Sequence, residues 1–132
     1  MHDHGHFRRG VESRDVGVMM AAFADGAVLH SPITFRPFEG KEAIARLLGI
    51  LMQVFQDFRY TDELTADDGT KALVFRTRVG DRDVEGLDLI RFDDTGLIRD
   101  FTVMVRPRSA ARCARGERCL ALRLCADAAS CL

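Results

Sequence analysis

Apolar and polar residues alternate with a period of two along the stretch 84–107. Before a polar break, Asp88, Ile90 and Phe92 alternate with Leu87, Leu89 and Arg91; after it, Phe101, Val103 and Val105 alternate with Thr102, Met104 and Arg106. That period marks strands. The break, Asp93-Asp94-Thr95-Gly96, reads as a tight turn whose glycine supplies the positive φ that a short hairpin loop needs. A second hairpin is expected upstream, with strands at 59–67 and 71–79 around Asp67-Asp68-Gly69; Leu73, Phe75, Thr77 and Val79 form the more apolar face of its second strand. Gly80-Asp81 turns that strand into the next. Between 41 and 58 the period changes. Ile44, Leu47, Leu48, Leu51, Val54 and Phe55 form the wide apolar stripe of a helix, with Gly40 at its start. A shorter helix is expected after Ser13 or Asp15 as cap, with Val16, Met19, Met20 and Phe23 on one face and Asp25-Gly26 as its stop. Residues 7–11 form a helical turn before it. Residues 27–31 read as a short strand ended by Ser31-Pro32, since proline lacks a ladder donor. The loop 33–40 carries Phe35 and Phe38, which are expected to fold over a core or line a pocket mouth.

Helices followed by antiparallel strands in succession predict an α+β fold, with the helices on one face of a curved antiparallel sheet. A sheet wrapped about the long helix and the N-terminal helices makes a cone with room for a ligand inside. With 132 residues the chain fits one domain, set at 1–107. After Pro107 the composition turns abruptly to Ala, Arg and Cys. Residues 108–132 read as a terminal helix or loose tail, or as a segment foreign to the fold, with Leu120, Leu122 and Leu124 its packable residues.

The net charge of −1 gives no general pull toward nucleic acid or an anionic membrane. No apolar run approaches the ~20 residues needed to span a bilayer. The N-terminal MHDHGHFRRG has no apolar signal core, so a cytoplasmic location is expected. Cys113, Cys119, Cys125 and Cys131 fall at steps that match no zinc pattern and do not share a helix face. The alternating His2, His4 and His6 read as a frayed terminus. No metal site and no cofactor are expected.

One residue does not fit a plain core strand. Asp88 shares a face with Ile90 and Phe92, so burying that face buries a carboxyl, which must then be paired, protonated or functional. Arg106 is a candidate partner, as it is for Glu85. Arg76 and Arg78 share a strand face and read as solvent or dimer contacts.

The runs AFADGAVLHSPITFRPFEGKEAI and EGLDLIRFDDTGLIRDFTVMVRP together resemble the SnoaL-like branch of the nuclear transport factor 2-like superfamily, over roughly residues 7–107. The resemblance implies the α+β cone (cystatin-like roll), a pocket for a small apolar ligand and a homodimer through the outer sheet face. It implies site residues as well. In the steroid isomerases of this group, Asp88 falls at the protonated aspartic acid, Ser31 at the position of the catalytic base and Phe7 near the tyrosine. A serine without a partner base does not remove a proton from carbon at useful rates. Against the limonene-type epoxide hydrolases, Arg76 falls near the arginine, but Arg78 and Val103 fall where the carboxylates belong. The polyketide cyclases demand less: an acid/base residue and an already acidic substrate carbon. There Asp88 is the candidate, with His30 nearby, since histidine is the residue type suited to acid/base work at neutral pH.

Strand alternation lets either His30 or Ser31 face the cavity, not easily both. The expected wall comprises Ser31, Phe35, Phe38, Leu51, Phe55, Tyr60, Ile90 and Val103. For Tyr60, the only tyrosine, a wet hydroxyl at a rim is the ordinary case. Two functions stay open. One is an isomerase or cyclase acting on an apolar carbonyl compound with Asp88 as acid/base. The other is a non-catalytic binding or dimerisation module with Asp88 structural. A cavity of about 300 Å³ or more with Asp88 on its wall favours the first; a closed core with Asp88 bonded to Arg106 or to backbone favours the second.

Overall fold

The computed structural model describes residues 5–32 and 35–107. The expectations for His2, His4, the four cysteines and the segment 108–132 lie outside the described residues. The elements run α1 (His6–Glu12), α2 (Val16–Ala21), β1 (Phe23–His30), β2 (Phe38–Glu39), α3 (Lys41–Val54), β3 (Gln56–Thr65), β4 (Lys71–Val79), β5 (Arg82–Phe92) and β6 (Ile98–Arg106). They form one curved, open six-stranded sheet in the order β2-β1-β6-β5-β4-β3. β3 to β6 are antiparallel in succession, as the alternation predicts, and β1 joins β6 in parallel. No helix among the described residues is long and apolar enough to cross a membrane.

The β5–β6 turn forms as its residues dictate. Asp93 Oδ1 accepts from the backbone N–H of Thr95 and Leu97, and Gly96 adopts φ 86°. At α2 the cap is Asp15, whose carboxylate accepts from Val18 N–H at 3.2 Å. That satisfies one of the free donors at a helix start.

Three boundaries differ from the sequence reading. Asp25-Gly26 does not stop a helix. α2 ends at Ala21, and β1 begins at Phe23, which pairs with Ile98 on β6 and sinks into the core. A bulge between Phe23 and Val28 absorbs the exposed Asp25 and Gly26. Part of the expected loop is the two-residue strand β2, paired with β1 at Leu29 and Phe38. α3 stops at Val54 rather than near 58. Arg14, held at φ 57°, sends its guanidinium across to the carbonyls of Met52 and Phe55 and closes that helix end. A cation there also suits the helix dipole.

The core lies between α3, the N-terminal helices and the inner sheet face. Ile44, Leu47, Leu48 and Leu51 of α3 meet Leu29, Leu73, Ile90, Phe101 and Val103 from the sheet. Phe7 of α1 packs edge-on against Phe101 and Phe23, with centroids 4.9 and 5.7 Å apart.

Candidate functional site

Asp88 sits on the inner face of β5, opposite Leu73 of β4 and Val103 of β6, among buried apolar side chains. Two residues earlier on the same face stands Gly86. A Cβ there would lie 2.1 Å from Phe75 Cζ, so the glycine exists to let the Phe75 ring cross β5. Phe58 stacks on that ring at 4.8 Å, Phe55 tilts against it at 5.9 Å, and Tyr60 meets Phe58 edge-on at 5.0 Å. This aromatic row joins the end of α3 to β3 and β4. It carries Tyr60, which pairs with Phe75 across β3 and β4, toward Asp88.

The two polar groups share an unusual environment. Among the described residues no salt bridge reaches Asp88, and Arg106 pairs with Glu85 at 3.0 Å instead. The buried Tyr60 hydroxyl has no acceptor in hydrogen-bonding geometry. It is nevertheless close enough to Asp88 for each group to shift the other. Burial pushes the Asp88 carboxyl up to about 8, against the smaller opposing pull of the Tyr60 hydroxyl. Burial, and then the Asp88 charge, push the Tyr60 phenol well above its ordinary value. At neutral pH both groups are predominantly protonated, with the ionised fraction of Asp88 growing toward about pH 8. Arg8 of α1 lies over the Tyr60 ring, 5.2 Å from its centroid, and is tied to Glu63 at 2.9 Å. Glu63 also binds Lys71 at 2.8 Å, so an ionic network covers this side of the cone.

The structure separates His30 from Asp88. Leu29 and Ala27 take the inner face of β1, which turns His30 outward beside Asp100, with Nε2 3.4 Å from Oδ2. Ser31 faces inward. It lines a small apolar cavity with Leu29, Pro32, Leu47, Leu51, Phe55, Val103 and Val105. That cavity has a volume of about 20 Å³, room for one water. It is far below the roughly 300 Å³ that favours a ligand site, and Asp88 is not on its wall, so this cavity does not support the catalytic reading; nor does Arg106, bound to Glu85, support the structural one. Of the expected wall, Ser31, Leu51, Phe55 and Val103 line it, while Phe38 and Ile90 are packed into the core. Phe35 does not fold inward and is fully exposed. The register of β2 brings Phe38, not Phe35, against Leu29, so the inward position of this segment is already filled. Tyr60 was expected with a wet hydroxyl, and it is buried. Phe7, at the expected tyrosine position, contributes only a core ring. The missed feature is the pairing of Tyr60 with Asp88. The one available signal was that both are polar on apolar strand faces.

A family model described as the SnoaL-like domain matches residues 5–101. Among solved structures, a steroid delta-isomerase from Pseudomonas aeruginosa is 38% identical with TM-score 0.75, covering 78% of this chain and 76% of its own. An uncharacterised bacterial protein with a cystatin-like fold from Silicibacter pomeroyi DSS-3 is 32% identical with TM-score 0.76, covering 83% and 77%. The epoxide hydrolase/cyclase-like enzyme SalBIII, with a role in pyran ring formation in the polyether salinomycin, shares the fold at 17% identity, TM-score 0.63 and coverage of 76% and 84%. No curated protein matches the chain.

Proposed function

The chain belongs to the SnoaL-like domain family, and from that premise we propose that it catalyses proton transfer on a small apolar carbonyl compound, in an isomerase- or cyclase-type reaction. The observation that carries this reading is the buried Asp88 carboxyl, unpaired by any cation among the described residues, beside a Tyr60 hydroxyl without an acceptor in hydrogen-bonding geometry. A carboxyl kept for structure would be expected to hold an arginine or backbone N–H. This one instead sacrifices stability, which is the pattern of a group tuned for proton exchange. The steroid delta-isomerase relative supports the same class of chemistry.

Asp88 is the single acid/base. Its ionised fraction takes a proton from the carbon next to the carbonyl. The electron pair of the broken C–H bond moves onto the carbonyl oxygen, giving an enolate. Tyr60 donates a hydrogen bond to that oxygen, and the protonated Asp88 returns the proton to carbon. A pKa of about 8 suits both directions near neutrality. With Ser31 at the expected base position and His30 turned outward, no second strong base assists. The substrate carbon must therefore already be acidic, as between two carbonyls. The test is deuterium exchange at the α-carbon of a panel of apolar 1,3-dicarbonyl compounds, followed by proton NMR. The wild type should accelerate exchange of at least one member, Asp88→Asn should abolish the acceleration, and Tyr60→Phe should reduce it. Equal acceleration by Asp88→Asn would remove Asp88 from the mechanism.

A homodimer through the outer sheet face is part of the proposal. Val74, Leu87 and Met104 border an open hollow of about 380 Å³ there, on a face where solvated strands normally carry polar residues.

A further inference from the structure

At one end of the sheet, where Arg59 and Arg76 adjoin the Tyr60–Phe75 pair, Asp57, Arg59, Arg76, Thr77, Arg78, Asp83 and Val84 surround a polar hollow of about 200 Å³. Its arginines are unevenly matched. Arg78 is held by Asp57 at 2.7 Å and by Gln56 at 3.0 Å. Arg76 reaches Glu85 at 3.0 Å, but the other oxygen of that carboxylate is taken by Arg106 at 3.0 Å. Among the described residues Arg59 has no carboxylate partner, and its guanidinium donates to the Asp57 carbonyl at 3.5 Å. Arg59 and Arg76 also stand directly opposite each other in the β3–β4 ladder. Like charges at such a position destabilise a sheet. The backbone beside them is unfavourable too: Asp57 holds φ 54°, a conformation side-chain-bearing residues rarely adopt. Two guanidinium groups on paired strand positions, one without a carboxylate partner among the described residues and one sharing its carboxylate, offer donors to a planar or tetrahedral oxyanion, while Asp83, opposite Arg78 in the ladder, also lines the hollow.

We propose that this hollow is an oxyanion site, in which Arg59 and Arg76 together clamp a carboxylate or phosphate group of a small molecule while Arg78 and Asp57 fix the rim. The proposal does not rest on the proton-transfer reaction, although the hollow adjoins the Tyr60–Phe75 pair and borders the proposed dimer face, where Glu85 partners Arg76. An oxyanion bridging Arg59 and Arg76 would turn the repulsive cross-strand pair into an attractive one.

The experiment is a titration of the isotopically labelled full chain, followed by amide NMR shifts, with inorganic phosphate in one arm and acetate in the other. Ionic strength is held constant with sodium chloride. Saturable shifts are expected at residues 57–59, 76–78 and 83–84, and the arm that saturates at lower concentration tells whether the clamp prefers phosphate or carboxylate. Arg59→Ala and Arg76→Ala, both at exposed positions, should each weaken binding roughly tenfold or more, the scale for losing a charge-assisted hydrogen bond. Arg59→Lys should keep part of the affinity, which separates loss of charge from loss of fold. Linear shifts in both arms, or shifts that persist in Arg59→Ala, would overturn the site.

Discussion

Replacing Asp88 by asparagine should change stability little at pH 4 and raise it increasingly as pH rises toward about 8. In the unfolded chain the Asp88 carboxyl ionises near its ordinary value of 3.8; in the folded chain burial holds it protonated up to about 8. The folded state therefore binds the proton more tightly. The stability associated with the protonated carboxyl is fully present below pH 3.8 and is lost as pH rises toward 8, beyond which it changes no further. Each pH unit in that window is worth about 1.4 kcal/mol. Across roughly four units the loss is on the order of 5 kcal/mol, an upper bound because any local water entry would relieve the burial. Asparagine has nearly the same shape and no proton to lose. The wild type and Asp88→Asn should thus be of similar stability at pH 4, and the variant should be ahead by several kcal/mol at pH 8. Urea unfolding of both proteins across this range, with unchanged m-values, measures the difference directly. Parallel stability curves for the two proteins would mean that Asp88 is ionised in the fold, and the reasoning from burial would fail.

Four further outcomes are expected. At pH 4, where Asp88 is protonated and there is no carboxylate to stabilise, Tyr60→Phe should leave the melting temperature unchanged or raise it, because the hydroxyl is buried without an acceptor in hydrogen-bonding geometry; a loss of more than about 1 kcal/mol there would show a bond that the resting geometry lacks. Gly86→Ala should cost about 2–3 kcal/mol in urea unfolding, since the new methyl would collide with a Phe75 ring already stacked on Phe58. Arg14→Ala should cost about 1–2 kcal/mol, by loss of the charged donor that closes α3, and amide exchange should rise first in its last turn. Leu87→Glu should turn the proposed dimer into a monomer by sedimentation equilibrium, whereas a wild type that is monomeric at every concentration would contradict the outer-face interface.

What was legible in the sequence was local. The β5–β6 hairpin could be read because its alternation and its Asp/Gly turn lie within a few residues of one another. The stripe of α3 was visible for the same reason. What failed was set by distant parts of the chain. Asp25-Gly26 looks like a helix stop, but parallel pairing of Phe23 with Ile98 draws the strand back past it. Phe55 continues the helical spacing of α3, yet Arg14 terminates the helix from far upstream. The site shows the same division. Asp88 was recognisable as an awkward carboxyl on an apolar face. That Tyr60 is its neighbour follows from the register of three strands, a bulge in β3 and the missing side chain of Gly86, none of which has a local signature. The closed interior was equally hidden. Phe55, Phe58 and Phe75 each look like ordinary core residues until they are seen stacked together across the cone.

The proposed chemistry rests on Asp88 being a carboxylic acid that exchanges its proton near neutral pH under the influence of Tyr60. A carbon-13 NMR titration of the Asp88 carboxyl in the wild type and in Tyr60→Phe tests this most directly. The wild-type midpoint should fall near 8, and it should move higher in Tyr60→Phe, because the lost hydroxyl no longer stabilises the carboxylate. A wild-type midpoint near 3.8, or one that does not respond to Tyr60→Phe, would contradict the account.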